Sequence, residues 1–522
     1  MIKSRRQYKH LALLLIVILL SLPVVFISLS LLAGYSSTWT HIARFLLPSY
    51  VLYSLLIAVT VAIGASVLGL LSAWFVSMFE FPGRRILQWA LMLPIALPAY
   101  IMAYIYTGIF VELDWSGIDH LRSWYGASAI LTLVTYPYVY ASCRIAFALQ
   151  NQSVMETAQS LGSGIFDVFH RVALPLARPA LIAGSSLVLM ETLAEYGTME
   201  LFGIPTLTTG IFRVWFGYGE LRTAAQLSAL LFFVVVLVLV MERTSPHFNT
   251  NASATSPLKK TRLRPRYPYL LTAICCLPCF IGLIVPLVFL TKWVLTSLPA
   301  ISAMNFFPAL VTSFLMALVV VVICLGIALF SCYYRRLNPT RRNQVLLKSA
   351  TFGYTFPGTV IAIGVLIPTL FFQNALINLF DELFGINPGL FLTGTLAALI
   401  IALVVRYLAV GVNTVKHALD SLKLELDHSA QSLGYSRKAI FWNIHRPLIT
   451  PAIVAASILL FVDVVKELPA TLILRPFNTS TLSVKVFEYA SDERLLEASL
   501  PALTIVLISL FPVLFLNRLA DN

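Results

Sequence analysis

Apolar residues run through this chain in blocks of about 20, each long enough to cross roughly 30 Å of hydrocarbon as a helix, and short polar stretches separate them. In the first half the blocks are Leu11–Leu32, Val51–Phe79, Ile86–Val111, Tyr125–Leu149, Ala180–Phe202 and Ala224–Met241. In the second they are Tyr269–Val294, Phe306–Tyr334, Leu346–Phe372, Leu390–Val415, Ala452–Leu474 and Leu500–Leu516. Backbone groups in lipid must satisfy one another, so helices are the plausible spans. The pattern predicts an all-α integral membrane protein of about twelve transmembrane helices. Glu242–Arg266, rich in Ser, Thr, Asn, Pro and basic residues, has the composition of an exposed linker. A first six-helix repeat then occupies residues 1–245, a linker 246–266, and a second six-helix repeat 267–522.

The halves are copies. Ala158, Gln159, Ser160, Leu161, Gly162, Phe169, Pro175 and Pro179 recur as Ala430, Gln431, Ser432, Leu433, Gly434, Phe441, Pro447 and Pro451, all at one offset of 272 (430 − 158). Earlier in each half, Ser54-Leu-Leu-Ile-Ala58 matches Ser313-Phe-Leu-Met-Ala317 at an offset of 259 (313 − 54). The 13-residue difference must be absorbed between these blocks, and Gln373–Gly389 is the expected place. Repeats of this kind constrain the fold before any single helix does.

Composition agrees with the pattern: 59% of the 522 residues are hydrophobic and only 11% charged. The formal net charge is +13, and its placement matters more than its size. Lys3, Arg5, Arg6 and Lys9 precede the first span, Arg84 and Arg85 follow the second, Lys259, Lys260, Arg262, Arg264 and Arg266 lie in the linker, and Arg335, Arg336, Arg341 and Arg342 follow the eighth. The intervening loops carry Glu112, Asp114, Asp119, Asp381 and Glu382. Basic short loops stay cytoplasmic, which predicts cytoplasmic termini and puts both repeated loops on the same side. Dispersal of the cations among membrane loops argues against nucleic-acid binding. Leu11–Leu32 is longer than the core of a usual signal peptide and lacks a convincing small-residue cleavage site, so it reads as an uncleaved helix.

Each repeated loop, 156–184 and 427–456, has a helix-compatible run and then two prolines four apart, which are expected to stop it and to start the next span. The expected product is a short amphipathic helix outside the membrane. Leu161, Ile165 and Phe169, with Leu433 and Phe441, offer an apolar face for a groove on another protein. Gly162 and Gly434 allow a turn. His170 and His445 are expected in solvent or at a partner.

These loops resemble the EAA motif of binding-protein-dependent ABC importer permeases, in which a coupling helix from each half docks in a nucleotide-binding subunit. The resemblance implies a type I ABC importer permease fold, two copies of an ABC ATPase subunit, an external solute-binding protein and an inner-membrane location. Glu156, Ala158, Leu161, Gly162 and Phe169, and Asp427, Ala430, Leu433, Gly434 and Phe441, would be the ATPase-coupling residues. The second copy departs from the motif: His428 and Ser429 stand where the first has Glu156 and Thr157, and its acidic residue, Asp427, comes one position early. The two docking sites should therefore differ. No G-x-x-x-x-G-K-[ST] occurs in the chain, so the chain is not itself expected to be an enzyme or to bind a cofactor, and ATP is used by the partner. The stretches from Glu191 to Thr198, from Thr209 to Phe216, and from Lys466 through Thr471 to Pro476 look like the fused two-domain permeases of ferric-iron importers. Thiamine and phosphonate permeases share that fused architecture, and an ion-gradient-driven secondary transporter would show the same hydropathy without the docking loop.

Carboxylates support a cationic cargo independently. Glu191 and Glu195 lie four apart on one helix face, and Asp463 and Glu467 repeat them at the 272 offset. Intramembrane charges usually face a cavity, and hard oxygen ligands suit a hard cation. Glu191, Glu195, Tyr196, Asp463, Lys466 and Glu467 thus form the candidate translocation path, with Glu195 and Glu467 as transient metal contacts; the alternative is that the acids pair with Lys466 or Arg475. Tyr100, Tyr104, Tyr106, Tyr136, Tyr138 and Tyr140 are further oxygen donors or, more simply, packing residues. Cys275, Cys276 and Cys279 lie in apolar sequence without a second Cys pair or nearby His and read as packing residues too.

Overall fold

A computed structural model describes residues 2–150, 160, 162, 164–243, 261–262, 267–297, 306–386 and 389–521. Among them, eleven helices are long and apolar enough to cross a bilayer, and a pair bent by 92°, Arg84–Ala96 and Ala99–Glu112, brings the number to twelve if it is counted as one broken span. The helices used below are α1 (Ile2–Ser30), α2 (Leu47–Met78), α3 (Arg84–Ala90), α4 (Ala99–Glu112), α5 (Trp124–Ala148), α6 (Leu174–Ala194), α7 (Gly197–Leu201), α8 (Leu221–Arg243), α9 (Tyr267–Ser297), α10 (Phe306–Leu337), α11 (Arg341–Ala350), α12 (Gly358–Phe384), α13 (Leu396–Asp420), α14 (Leu424–Ser432), α15 (Arg446–Val465), α16 (Pro469–Leu474) and α17 (Leu495–Asp521).

Two compact units result, and they cut across the sequence halves. One comprises Met1–Thr38, Ile211–Ala229 and Ala303–Lys485; the other comprises Trp39–Gly210, Leu230–Ser302 and Val486–Asn522. In the unit built on the second half, α10, α13 and α15 pack together, and α1, from the start of the chain, lies along α11 and α12. In the unit built on the first half, α2, α5 and α6 pack together, and α9, which opens the second half, lies against α4 and α17. Each half therefore lends its opening helix to the other half's unit. The linker at 246–266 falls outside the described residues except for Thr261–Arg262, which pair in parallel with Phe79–Glu80.

Small residues set the helix spacing. A Cβ on Gly69 would sit 2.8 Å from the Tyr136 carbonyl oxygen, and one on Gly184 2.8 Å from the Val139 Cα. Lipid gives no hydrophobic drive for helices to associate, so such close backbone contact is how α2, α5 and α6 hold together. The outer face of α2, with Leu52, Leu55, Val59, Ile63 and Val67, stays exposed while Ile57, Ala58, Val61 and Ala65 are buried.

The sequence offsets appear as matched elements. Both α5 and α13 open on a hydroxyl cap, Ser123 accepting from the Gly126 N–H and Thr395 from the Ala397 N–H, 272 apart. Pro98 and Pro357 precede α4 and α12, 259 apart. The extra 13 residues thus lie between Pro357 and Thr395, where α12 runs on to Phe384 while α4 stops at Glu112. Two expected spans change shape at these prolines. Ile86–Val111 is not one straight helix but turns at Pro98, and the span expected from Leu346 starts at Gly358. In both halves a residue before proline is pushed into extended backbone and proline donates no N–H, which ends the preceding helix.

Candidate functional site

Where both are described, the repeated loops keep the same backbone. Ile165–Val168 leads into a π-helical turn, Phe169–Ala173, and Arg437–Ile440 leads into Phe441–His445, again 272 apart. Glu156, Ala158 and Leu161 lie outside the described residues; Gly162 has φ +85° and Gly434 φ +84°. In the second loop this left-handed glycine ends α14: the Gly434 N–H bonds to the Gln431 carbonyl and the Tyr435 N–H to the Ala430 carbonyl, both at 3.0 Å, a Schellman closure. The prolines do not stop the helices as expected. Pro175 and Pro447 lie in the opening turns of α6 and α15, and the π turn before each widens the helix, so the chain runs on unbroken from Ile165 to Ala194 and from Arg437 to Val465.

Phe169 and Phe441 are also not outward anchors. Phe169 is buried with its ring 5.0 Å from Trp74, and Phe441 lies 4.8 Å from Tyr333. Trp74 and Tyr333 stand 259 apart, so the same aromatic lock fixes each loop to the span behind it. Ala430 is buried as well. The faces turned outward carry Ile165 and Phe166 in the first loop and Leu433, Tyr435 and Trp442 in the second.

The second loop carries a polar clamp. Asp427 accepts from Arg336 Nε at 3.0 Å and pairs with His445 Nε2 at 2.6 Å, and Arg336 also donates to the carbonyls of Leu419 and Leu422. His445, expected in solvent or at a partner, is 1% exposed. Burial pushes the Asp427 carboxyl up, but the hydrogen bonds from Arg336 and His445 outweigh it and hold the group below its ordinary value. The matching first-half positions are Ser77, Met155 and Ala173, none of which can form this network. There, Gln150 Nε2 donates to the Ala173 carbonyl at 3.0 Å instead.

The candidate path residues sit where α6 and α15 break. Glu195 Oε1 accepts the Thr198 N–H at 2.8 Å and its hydroxyl at 2.9 Å, capping α7. Glu467 Oε1 accepts the Ala470 N–H at 3.1 Å, capping α16. Thr208 donates to the Glu195 carbonyl and Ser483 to the Glu467 carbonyl, at 2.8 and 2.7 Å. Ser54 and Ser313 receive the N–H groups of Leu207 and Leu482. Both breaks share one hydrogen-bond scaffold.

Their charges differ. Glu467, 4% exposed, also receives Arg406 Nη1 at 2.7 Å on Oε1 and the Tyr407 hydroxyl at 2.6 Å on Oε2. Gly358, at the start of α12, makes room: a Cβ there would strike both Arg406 and Glu467. Asp463 pairs with Lys466 at 2.9 Å. The first half has Val134, Thr135 and Ala194 where the second has Arg406, Tyr407 and Lys466. Glu191 is exposed and Glu195 partly so, and Tyr196 is buried with its ring 5.7 Å from Phe487. Sequence reasoning missed Arg406; its signal was an arginine inside a 25-residue apolar helix, which has to find a carboxylate.

The other candidates are held in packing. Tyr104, Tyr106 and Tyr140 donate to the carbonyls of Leu495, Ile281 and Gln88 at 2.5, 2.7 and 2.8 Å. Tyr100 and Tyr136 are buried, Cys275 and Cys279 are buried on α9, and Cys276 faces outward. No group of three His, Cys, Asp or Glu among the described residues is placed to hold a metal ion.

Duplicated loops fixed to membrane spans and a chain of eleven to twelve apolar helices define a multi-pass membrane permease worked by partners. The chain belongs to the family described as binding-protein-dependent transport system inner membrane component, whose model matches it twice, at residues 65–249 and 340–522. With two such domains on this helical frame, the fold is that of a type I ABC importer permease; the ATPase is a separate subunit and the permease is not an enzyme. Membership of the family implies ATPase and solute-binding-protein partners. Among similar proteins, the Fe(3+)-transport system permease protein FbpB 2 of Haemophilus influenzae is 27% identical over 90% of this chain and 89% of its own length. The molybdenum transport system permease protein ModB of Escherichia coli is 30% identical over 26% of this chain and 62% of its own. The sulfate transport system permease protein CysT of Salmonella typhimurium is 30% identical over 28% and 55%.

Proposed function

We propose that this chain is the permease of a ferric-iron importer. Iron is delivered by an external solute-binding protein and crosses by alternating access, driven by two copies of a separate ATPase that dock on the loops at 156–184 and 427–456. Both termini and both loops then face the cytoplasm, in keeping with the basic residues on that side. One observation carries the cargo assignment: likeness to an Fe(3+)-transport permease extends over nine-tenths of this chain, whereas likeness to the molybdenum and sulfate permeases covers about a quarter.

The acids at the breaks support a cation and divide in role. Glu191 and Glu195 lie on the path and meet the cargo. Glu467, engaged by Arg406, Tyr407 and the Ala470 N–H, and Asp463, engaged by Lys466, hold the second break together. A transient metal contact at Glu467 would have to compete with Arg406 and Tyr407, whereas one at Glu195 would not meet those two side chains. Carboxylates lining a path disfavour a dianionic oxyanion through like-charge repulsion.

Uptake by proteoliposomes holding the permease, its ATPase and its binding protein tests this reading. ATP-dependent accumulation of ferric iron, undiminished by excess molybdate or sulfate, is expected. Accumulation of either oxyanion in place of iron would overturn the cargo assignment while leaving the permease class intact.

A further inference from the structure

Beside the second coupling loop, in the unit built on the second half, a cavity of about 270 Å³ opens among α10, α11 and α13. Its charged lining is Arg335, Lys348, Lys416 and Asp420, joined by the polar Gln344, Thr351 and Asn413. The three cations face one carboxylate, and Arg335 already pairs with it. Among the described residues, neither Lys348 nor Lys416 has an ion-pair partner, and the buried Arg335 Nε has no hydrogen-bond acceptor. An unpaired buried donor costs about 1–3 kcal/mol unless something accepts from it. The space suits an acceptor-rich group with its waters, since a single water takes about 30 Å³.

The first half shows what a filled version looks like. Trp89 stands at the place of Lys348, Arg144 at that of Lys416, Val76 at that of Arg335 and Ala148 at that of Asp420. There the Arg144 guanidinium lies 4.7 Å over the Trp89 ring and donates to the Gln88 carbonyl at 3.0 Å. Indole and guanidinium satisfy each other, a pairing open to Arg over Trp. Two lysines cannot do so; they repel unless an anion lies between them.

We propose that this cavity is a binding site for a phosphate-bearing anion, supplied either by the headgroup of an anionic phospholipid or by free phosphate. The cavity has an apolar floor in the buried Leu347 and Val412, and Val345 and Phe352 are exposed on the same stretch of chain. A headgroup held by cations at the end of membrane helices, with apolar surface nearby, fits the chemistry of such basic pockets. The site is independent of which solute the permease carries. Occupied, it would tie α11 and α13 to α10, the helix whose Arg336 holds Asp427 in the neighbouring loop.

The test uses the full-length protein and three variants. Lys348→Trp imports the first-half plug, Lys416→Gln removes one cation, and Arg342→Gln removes an exposed cation that does not line the cavity. Native mass spectrometry after extraction from phosphatidylglycerol- and cardiolipin-containing membranes reads retained lipid. Thermal unfolding in neutral detergent, with inorganic phosphate against chloride at equal ionic strength, reads free phosphate. Lipid retention in wild type and Arg342→Gln, weaker by about fivefold in Lys416→Gln and lost in Lys348→Trp, identifies a headgroup site. A phosphate-dependent rise in unfolding temperature with the same ranking identifies free phosphate. Neither signal in wild type, or equal losses in all three variants, overturns the proposal. Lys348→Trp unfolding like wild type in chloride separates loss of ligand from loss of fold.

Discussion

The two breaks, at Glu195 and at Glu467, are the same piece of backbone under different electrostatics. In each, a glutamate accepts the N–H three residues on, a Thr or Ser hydroxyl bonds back to the glutamate carbonyl, and a serine on a neighbouring span receives the next helix's first N–H. In the second, the acid is met by Arg406 and Tyr407, at places where the first half has Val134 and Thr135. The duplication has kept what the backbone needs and released the side chains around the acid, which is what allows the proposed division between a structural copy and a cargo-meeting one. The loops repeat the lesson: both keep the aromatic lock and the left-handed glycine, and the second adds the Arg336–Asp427–His445 clamp.

Arg406→Leu should bring the largest effect, because it leaves Glu467 buried without its counterion, at a cost of about 3–5 kcal/mol. Thermal unfolding in detergent should show it, and Arg406→Leu with Glu467→Gln should recover most of the loss. A single variant as stable as wild type would erase the distinction between the breaks. Next, Asp427→Asn should cost about 2 kcal/mol through Arg336, whereas Met155→Asn, at the matching first-half position, should cost far less. The sign with pH follows from the lowered carboxyl: the clamp's contribution is complete at neutral pH and above the ordinary Asp value of 3.8, and fades as pH falls through the lower folded value. A gap between wild type and Asp427→Asn that widens on acidification would contradict this.

Glu195→Gln should reduce iron uptake about tenfold, the worth of roughly 1.4 kcal/mol, with unfolding unchanged. Glu467→Gln should instead lower the unfolding temperature. If both variants affect uptake alone, the second acid is a path residue after all. Gly162→Ala and Gly434→Ala should each cost about 1–2 kcal/mol locally, since only glycine adopts these φ values without strain, and should lower transport per ATP hydrolysed. Smallest, Tyr104→Phe should cost about 1 kcal/mol by losing its bond to the Leu495 carbonyl.

The duplication and most of the spans were legible because they are written as period, apolar length and repeated motif, whereas the breaks at Glu195 and Glu467 were not: Ala180–Phe202 and Ala452–Leu474 read as continuous spans, and the helices end at Ala194 and Val465. Partner identity across the fold was not legible either. Arg406 lies 61 positions from Glu467, and no local pattern joins them. Phe169 looked like part of an outward face because helical spacing gives a face but not its direction; Trp74, almost a hundred residues earlier, decides that. Pro175 and Pro447 looked like stops because proline lacks an N–H, and the π turn that accommodates them leaves no clear mark in sequence. Pro98 did carry its signal, as a proline in an apolar run, and length alone concealed the bend.

The exchange of opening helices has a consequence during synthesis. Helix α1 leaves the ribosome long before the helices it lies along, α11 and α12, which are made only after residue 340. Until then the face that α11 and α12 cover lacks those two helices, and a chain released after the linker would never gain them. Joining both halves in one polypeptide keeps that waiting helix beside the ribosome that will deliver its partner, in equal number and in the same patch of membrane.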